Sequence, residues 1–230
     1  MRRETTNFVR FLIEDCMPPI LQDSRIFHLL ARAAWGSHVS RLADFRARAP
    51  FLTPGEYESL YREHPRVHEG TDNSVACMGK AAQDLIGTSV CDVGCGTGAL
   101  LSYFQQNSSR DLSLTGVDFV VDDAADLNGI TYVAARVEDL PFPDEHFDTV
   151  VCTHVIEHIL DYRRAIQELR RITRRRLIIV VPREREHLYT FNPHFNFFPY
   201  PHSFLRAMHP VAANHMCIGI GRDIYYREDK

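Results

Sequence analysis

The stretch Val90–Gly98, VCDVGCGTG, concentrates residue types suited to chemistry in this 230-residue chain. Ser89, Val90 and Cys91 form an apolar, β-prone lead into Asp92, and glycines follow at 94, 96 and 98. Leu100, Leu101 and Phe104 then recur at helical spacing, so the order is strand, glycine loop, helix. Glycines at alternate positions lack the Cβ atoms that would hold a ligand off the backbone, and the helix start offers unpaired N–H groups. The spacing is GxGxG, and it departs from the GxGxxG of a dinucleotide loop, where a pyrophosphate sits on the helix end. Asp92, just before the first glycine, would repel a pyrophosphate and attract a cation.

Three further segments follow in order. LSLTGVD (112–118) reads as a second strand ending in Asp118, whose two carboxylate oxygens could accept from the vicinal hydroxyls of a ribose. VEDLPFPDEHFDTVV (137–151) and CTHVIEH (152–158) complete the set. Together the four segments resemble the motifs of class I S-adenosylmethionine-dependent methyltransferases of the small-molecule, type 11 kind. The resemblance spans residues 71 to 182.

It implies an α/β fold, a Rossmann-like three-layer sandwich with a seven-stranded, mostly parallel sheet whose last strand is antiparallel. It also implies S-adenosylmethionine as cofactor, held by Asp92, Gly94, Cys95, Gly96, Gly98, Asp118, Phe119, Val137, Glu138, Thr153 and His154. The family often carries an acid for the adenine amino group where this chain has Arg136, so adenine recognition is expected from the backbone around Val137 and Glu138, or from Glu138 or Asp139. Thr153 and His154 fall in the segment that lines the methionine end of the cofactor.

Methyl transfer of this class is an in-line displacement at a sulfonium carbon. The protein aligns nucleophile, methyl and sulfur and excludes water. A general base is needed only for a hydroxyl or protonated amine. His154, His194 and His202 are the catalytic candidates, because imidazole titrates near neutral pH, while His158 reads as structural. His194 and His202 lie in a stretch, 184–210, dense in Tyr, Phe and His and broken by Pro193, Pro199 and Pro201. It follows the fifth strand and reads as a substrate-facing insert. Its histidine spacings match no zinc signature, and no metal is expected.

The elements that must carry these residues are legible around them. A cluster of capping residues, Thr71–Ser74, precedes a helix over 75–85, and its start could instead face the cofactor's carboxylate. Residues 161–173 read as an amphipathic helix with Tyr162, Ala165, Ile166, Leu169 and Ile172 inward, followed by the buried strand 177–181. Arginines 163, 164, 170, 171 and 174–176 read first as a solvated helix face. Residues 215–219 and 224–227 read as a closing hairpin. Only 119–129 separates the second strand from the next, too little for a full crossover helix.

Residues 1–70 are expected to form an N-terminal helical cap or lid, with two short helices broken at Pro18 and Pro19 and another over 55–63, and residues 71–230 the cofactor-binding domain. A net charge of −4 makes no case for a nucleic-acid partner. No apolar run approaches the roughly 20 residues of a membrane span, and MRRETTNFVRF lacks a signal-peptide core. A cytoplasmic protein with no membrane partner and reduced, mostly buried cysteines is expected. The acceptor is expected to be a small molecule with an oxygen or nitrogen nucleophile. The alternatives are a protein or RNA methyltransferase using the arginines, or a non-catalytic cofactor-binding partner subunit.

Overall fold

Apolar runs that alternate in the direction of their side chains build one sheet. The computed structural model describes residues 13, 17–35, 48–53, 55–57, 59, 71–121, 126–186 and 193–230. The chain divides into two compact units, Met1–His68 with Glu184–Phe197, and Glu69–Arg183 with Phe198–Lys230.

The second unit carries the strands β1 (Ser89–Val93), β2 (Ser113–Asp118), β3 (Asp126–Leu127), β4 (Ile130–Ala134), β5 (Phe147–Thr153), β6 (Thr173–Pro182), β7 (His215–Ile220) and β8 (Asp223–Asp229). Their order is β3-β4-β2-β1-β5-β6-β8-β7. The pairs β4–β2, β2–β1, β1–β5 and β5–β6 are parallel, and β8 runs antiparallel to both β6 and β7. The seven longer strands therefore match the expected mostly parallel sheet with an antiparallel last strand. The eighth is β3, two residues antiparallel to β4 at the edge. Both faces of the sheet are covered. Leu177, Ile179 and Val181 of β6 enter one core while Ile178 and Val180 enter the other, as the period of two requires.

Helices α3 (Val75–Asp84) and α4 (Ala99–Asn107) contribute Cys77, Ala81, Leu100, Leu101 and Phe104 to one of these cores. Helices α5 (Tyr162–Ile172) and α6 (Pro201–Ala207) contribute to the other. Ala165, Ile166, Leu169 and Ile172 are the buried stripe of α5, each Leu or Ile contributing about 1.5–3 kcal/mol by leaving water. Asp161 caps α5 by accepting from Arg164 N, and Ser74 caps α3 by accepting from Cys77 N.

Of the arginines, only Arg163 and Arg164 form an exposed face of α5. Arg174, Arg175 and Arg176 lie on β6, which starts directly after α5. Arg170 grips Glu228 with two bonds of 2.7 Å, Arg171 holds Glu168 and Asp144, Arg174 holds Asp148 at 2.6 Å, and Arg176 holds Asp229 at 2.6 Å. Strand starts and the last strand bring acids to this edge, and most of the run is spent tying them down.

In the first unit, α1 (Pro19–Gln22) and α2 (Arg25–Trp35) both follow Pro18, where the second of the two short helices is expected, while the first, ahead of the prolines, falls outside the described residues but for Ile13. Tyr57 and Phe195 approach with ring centroids 6.1 Å apart, so the N-terminal segment and the front of the aromatic stretch pack together. That stretch, 184–210, is thus divided between the two units, and part of it is regular, since α6 forms behind Pro201. Residues 55–57 and 59 are helical, while the remainder of the helix expected over 55–63, Cys16 and positions 122–125 fall outside the described residues. Cys77, Cys91, Cys95 and Cys152 are buried free thiols and Cys217 is half-buried. No helix among the described residues is long and apolar enough to cross a membrane.

Candidate active site

The chain winds from β1 through β2 to β4 on one side of the sheet, then returns to β5 and β6 on the other. The reversal lies between β1 and β5, and the carboxyl ends of such strands are where open α/β sheets bind ligands. Asp92, Asp118, Val137 and Thr153 all sit at or just beyond carboxyl ends of β1, β2, β4 and β5.

The glycine loop is held from below. Gly94 N and Cys95 N both donate to Val117 O, at 2.7 and 3.0 Å, and Gly96 N donates to Asp118 Oδ2 at 2.8 Å. Gly94 and Gly98 have φ of 82° and 76°. A Cβ on Gly94 would lie 2.1 Å from Val155 Cγ2, and one on Gly98 would lie 2.0 Å from the Tyr132 hydroxyl. These two glycines therefore let the loop pack on its own protein. Ligand approach, the role expected for all three, is not what requires glycine at 94 and 98.

Asp92 is 1% exposed, and its Oδ1 is buried with no hydrogen-bond partner among the described residues. Burial first, and the charge of Asp118 second, push its pKa up to about 7. A buried carboxylate oxygen without a donor is costly, and a cationic or N–H-bearing ligand would relieve it. Asp118 is also buried; besides Gly96 it accepts from Val120 N at 3.1 Å. Each of its oxygens keeps a second lone pair for a ligand hydroxyl.

Beyond β4, Val137 is a core residue, and Glu138 is tied twice, its carboxylate to Arg136 at 3.2 Å and its carbonyl to Arg164 Nε at 2.7 Å. The Glu138 carbonyl keeps a second lone pair beside the bond from Arg164. Phe119 lies half-buried in the turn after β2, and Cys95 is buried under the loop.

Beyond β5, Thr153 Oγ1 accepts from Asn73 Nδ2 at 2.8 Å, which brings the segment before α3 to the strand end. His154 has φ of 55°, in the left-handed region that a non-glycine residue seldom occupies. Its N–H donates to Val180 O at 2.9 Å. Its imidazole lies between Glu157, 3.5 Å from Nδ1, and Asp223, 3.8 Å from Nε2. Burial opposes its charge, but Glu157, Asp223 and Asp72 outweigh burial and raise its pKa. An imidazole that keeps its proton to higher pH than usual is a poor proton acceptor. Two carboxylates flank the His154 imidazole, and their charge works against the proton-accepting role expected of it.

The other two candidates fall one in each unit. His202 is exposed on α6, its ring stacked on Tyr200 with centroids 5.2 Å apart. His194 belongs to the first unit, where its Nδ1 is 2.6 Å from Glu184 Oε2. Sequence reasoning missed Tyr132 and Asp223. A signal for Tyr132 existed in Gly116, its register partner on β2, whose missing side chain makes room for the ring.

Residues 91–181 match the family model of a methyltransferase domain. Over that segment the chain is similar to methyltransferase domains. An uncharacterized methyltransferase, YcgJ of Bacillus subtilis (strain 168), is 29% identical over 119 residues, 49% of this chain and 46% of that protein. An O-methyltransferase of Aspergillus sclerotiorum is 28% identical over 152 residues, 62% of this chain and 56% of its own length. The chain thus spans about half the length of these curated relatives. A SAM-dependent methyltransferase of Thermotoga maritima shares the fold with a TM-score of 0.54 at 18% identity, over 68% of this chain and 88% of that one. Within residues 91–181, those at the strand ends fit the family's cofactor on one observation above all, the donor-less oxygen of Asp92 beside the loop.

Proposed function

We propose that this chain transfers a methyl group from S-adenosylmethionine to a small-molecule acceptor through an oxygen or nitrogen nucleophile. The buried, donor-less carboxylate oxygen of Asp92 carries this reading, because the cofactor's methionine end supplies the ammonium such a group lacks. When bound, the cofactor contributes a sulfonium methyl already activated for in-line displacement.

The chain's own residues then bind and orient. Asp92 takes the positive end, and the backbone of Gly94, Cys95, Gly96 and Gly98 gives close approach. Asp118 accepts from ribose hydroxyls with its second lone pairs while still holding the loop. Phe119 and Val137 offer apolar surface to the base, with Glu138 at its edge. Thr153 and His154 face the methionine end, where the charge on His154 offsets its neighbouring acids.

For acceptors that must lose a proton, His202, which shares its unit with the glycine loop, is the group we assign. The O-methyltransferase relative from Aspergillus supports a small acceptor. The internal pairing of Arg170, Arg171, Arg174 and Arg176 removes most of the cationic surface on which a protein or RNA acceptor would rest. Calorimetry should find binding of S-adenosylmethionine and S-adenosylhomocysteine but not NAD, and a labelled-methyl screen of phenols, carboxylates and amines should then find turnover. Tight NAD binding without S-adenosylhomocysteine binding would overturn the proposal.

A further inference from the structure

Helices α1 and α2 turn large apolar side chains to solvent. Ile20, Leu21, Ile26, Leu29 and Leu30 are between 53% and 81% exposed. At about 100° per residue, Ile26, Leu29, Leu30 and Ala33 of α2 fall within one arc of roughly 100°, the width of an ordinary core-facing stripe. The buried residue Ala31 lies on the other side. A stripe of this kind left in water marks an interaction surface.

Charge says what kind. Arg25 and Arg32, both exposed, project along one edge of the apolar arc, and α2 contains no acidic residue. Asp23, in the turn before it, is the one acid of 19–35. An apolar stripe edged by arginines is the pattern of a helix lying in a membrane interface, with the side chains among acyl chains and the guanidinium groups at phosphate depth. A second copy of the chain fits less well, because pairing two such stripes gathers four arginines along a seam where α2 offers no carboxylate. The expectation of no membrane partner rested on the lack of a spanning run, and an interfacial helix needs none.

We propose that α1 and α2 form a surface anchor that lays this apolar stripe onto anionic lipid. It rests on these two helices alone and is independent of the acceptor and of the cofactor.

The test is co-sedimentation of the full chain with phosphatidylglycerol–phosphatidylcholine vesicles and with phosphatidylcholine vesicles at low salt. The wild-type chain should pellet with the anionic vesicles and release as salt rises. Ile26→Ser with Leu30→Ser should cut partitioning more than tenfold. Arg25→Gln with Arg32→Gln should cut it about 30-fold on anionic vesicles alone, from ~1 kcal/mol per arginine near such a surface. All these positions are exposed, so both variants should melt with the wild type and bind S-adenosylhomocysteine unchanged. A wild-type chain that stays in the supernatant with anionic vesicles overturns the proposal, as do variants that pellet like wild type. A dimer in size-exclusion chromatography that Ile26→Ser with Leu30→Ser dissociates, without vesicle binding, would assign the stripe to a second copy.

Discussion

Asp118 Oδ2 accepts a hydrogen bond from Gly96 N at 2.8 Å, so the acid that ends β2 holds the glycine loop that follows β1. One carboxylate thereby couples loop order to ribose recognition. Asp118→Ala should weaken S-adenosylhomocysteine binding about tenfold to a hundredfold, equivalent to ~1.5–3 kcal/mol. It should also lower stability by about 1–3 kcal/mol, because Gly96 N and Val120 N lose their acceptor. Calorimetry and urea unfolding read the two effects separately. Unchanged affinity in a folded variant would remove Asp118 from the cofactor site.

Asp92 should show the opposite signs in stability and binding. Its pKa, raised from 3.8 to about 7 by burial and then by Asp118, means that the fold holds this proton more tightly than the unfolded chain does. Its contribution to stability is therefore greatest below the unfolded value and is lost as pH rises through about 7. Asp92→Asn avoids that buried charge, and thermal unfolding without ligand should show it more stable than wild type at pH 8 by roughly 1–3 kcal/mol, with no gain at pH 5. The same variant should lose most of its S-adenosylmethionine affinity. An Asp92→Asn protein that binds normally would mean the cation lies elsewhere.

Gly98 and Tyr132 test whether the loop's glycines serve packing. Gly98→Ala adds a Cβ 2.0 Å from the Tyr132 hydroxyl in a backbone with φ of 76°. The strain of φ alone costs about 1–2 kcal/mol, and the clash adds to it. Tyr132→Phe in the Gly98→Ala background removes the nearest atom but leaves Cζ at 3.0 Å, so it should recover part of the loss. A double-mutant cycle by urea unfolding measures that coupling. Additive effects would show that the loop has room.

The parts of this molecule legible in sequence are those fixed by local rules. The strand before Asp92, the stripe of α5 and the hairpin of β7 and β8 each follow from period and turn residues within one short window. Partners remote in sequence were not legible. Nothing near Arg170 announces Glu228, and nothing near His154 announces Asp223, because the β5–β6–β8 order that joins them is a property of the whole sheet. The glycine pattern announces a tight loop, but what a side chain at 94 or 98 would meet depends on Val155 and Tyr132, which come from other strands and their ends. Amphipathic period likewise located α2 without telling what its stripe would meet.

The arginine pairs predict that most of the run matters for folding. Glu228 is buried, and Arg170 supplies both of its charge-assisted bonds. Arg170→Ala should cost about 3–5 kcal/mol in urea unfolding by leaving that carboxylate without its cation. Arg163, whose guanidinium lies over the Tyr162 ring, is exposed, and Arg163→Ala should change stability by no more than about 0.5 kcal/mol. Equal effects of the two would contradict the pairing. Retention of RNA by wild type that Arg163→Ala abolishes would restore the macromolecular acceptor.

His154 should make the domain's stability depend on pH near neutrality. Its pKa is raised: burial disfavours the charge, and Glu157, Asp223 and Asp72 more than compensate. The stabilisation is fully present below the unfolded value near 6.5 and is lost as pH rises through the folded value. His154→Gln carries no charge, so its deficit against wild type should be largest at pH 6, about 1.5–3 kcal/mol, and shrink towards pH 9. The backbone contributes separately. With φ of 55°, His154→Gly should be more stable than His154→Ala by about 1 kcal/mol at every pH, since only glycine adopts that conformation without strain. Denaturant unfolding across pH, with an NMR titration of the imidazole in wild type, checks both. A deficit independent of pH would show that the imidazole is neutral in the fold, and would return His154 to the list of proton acceptors.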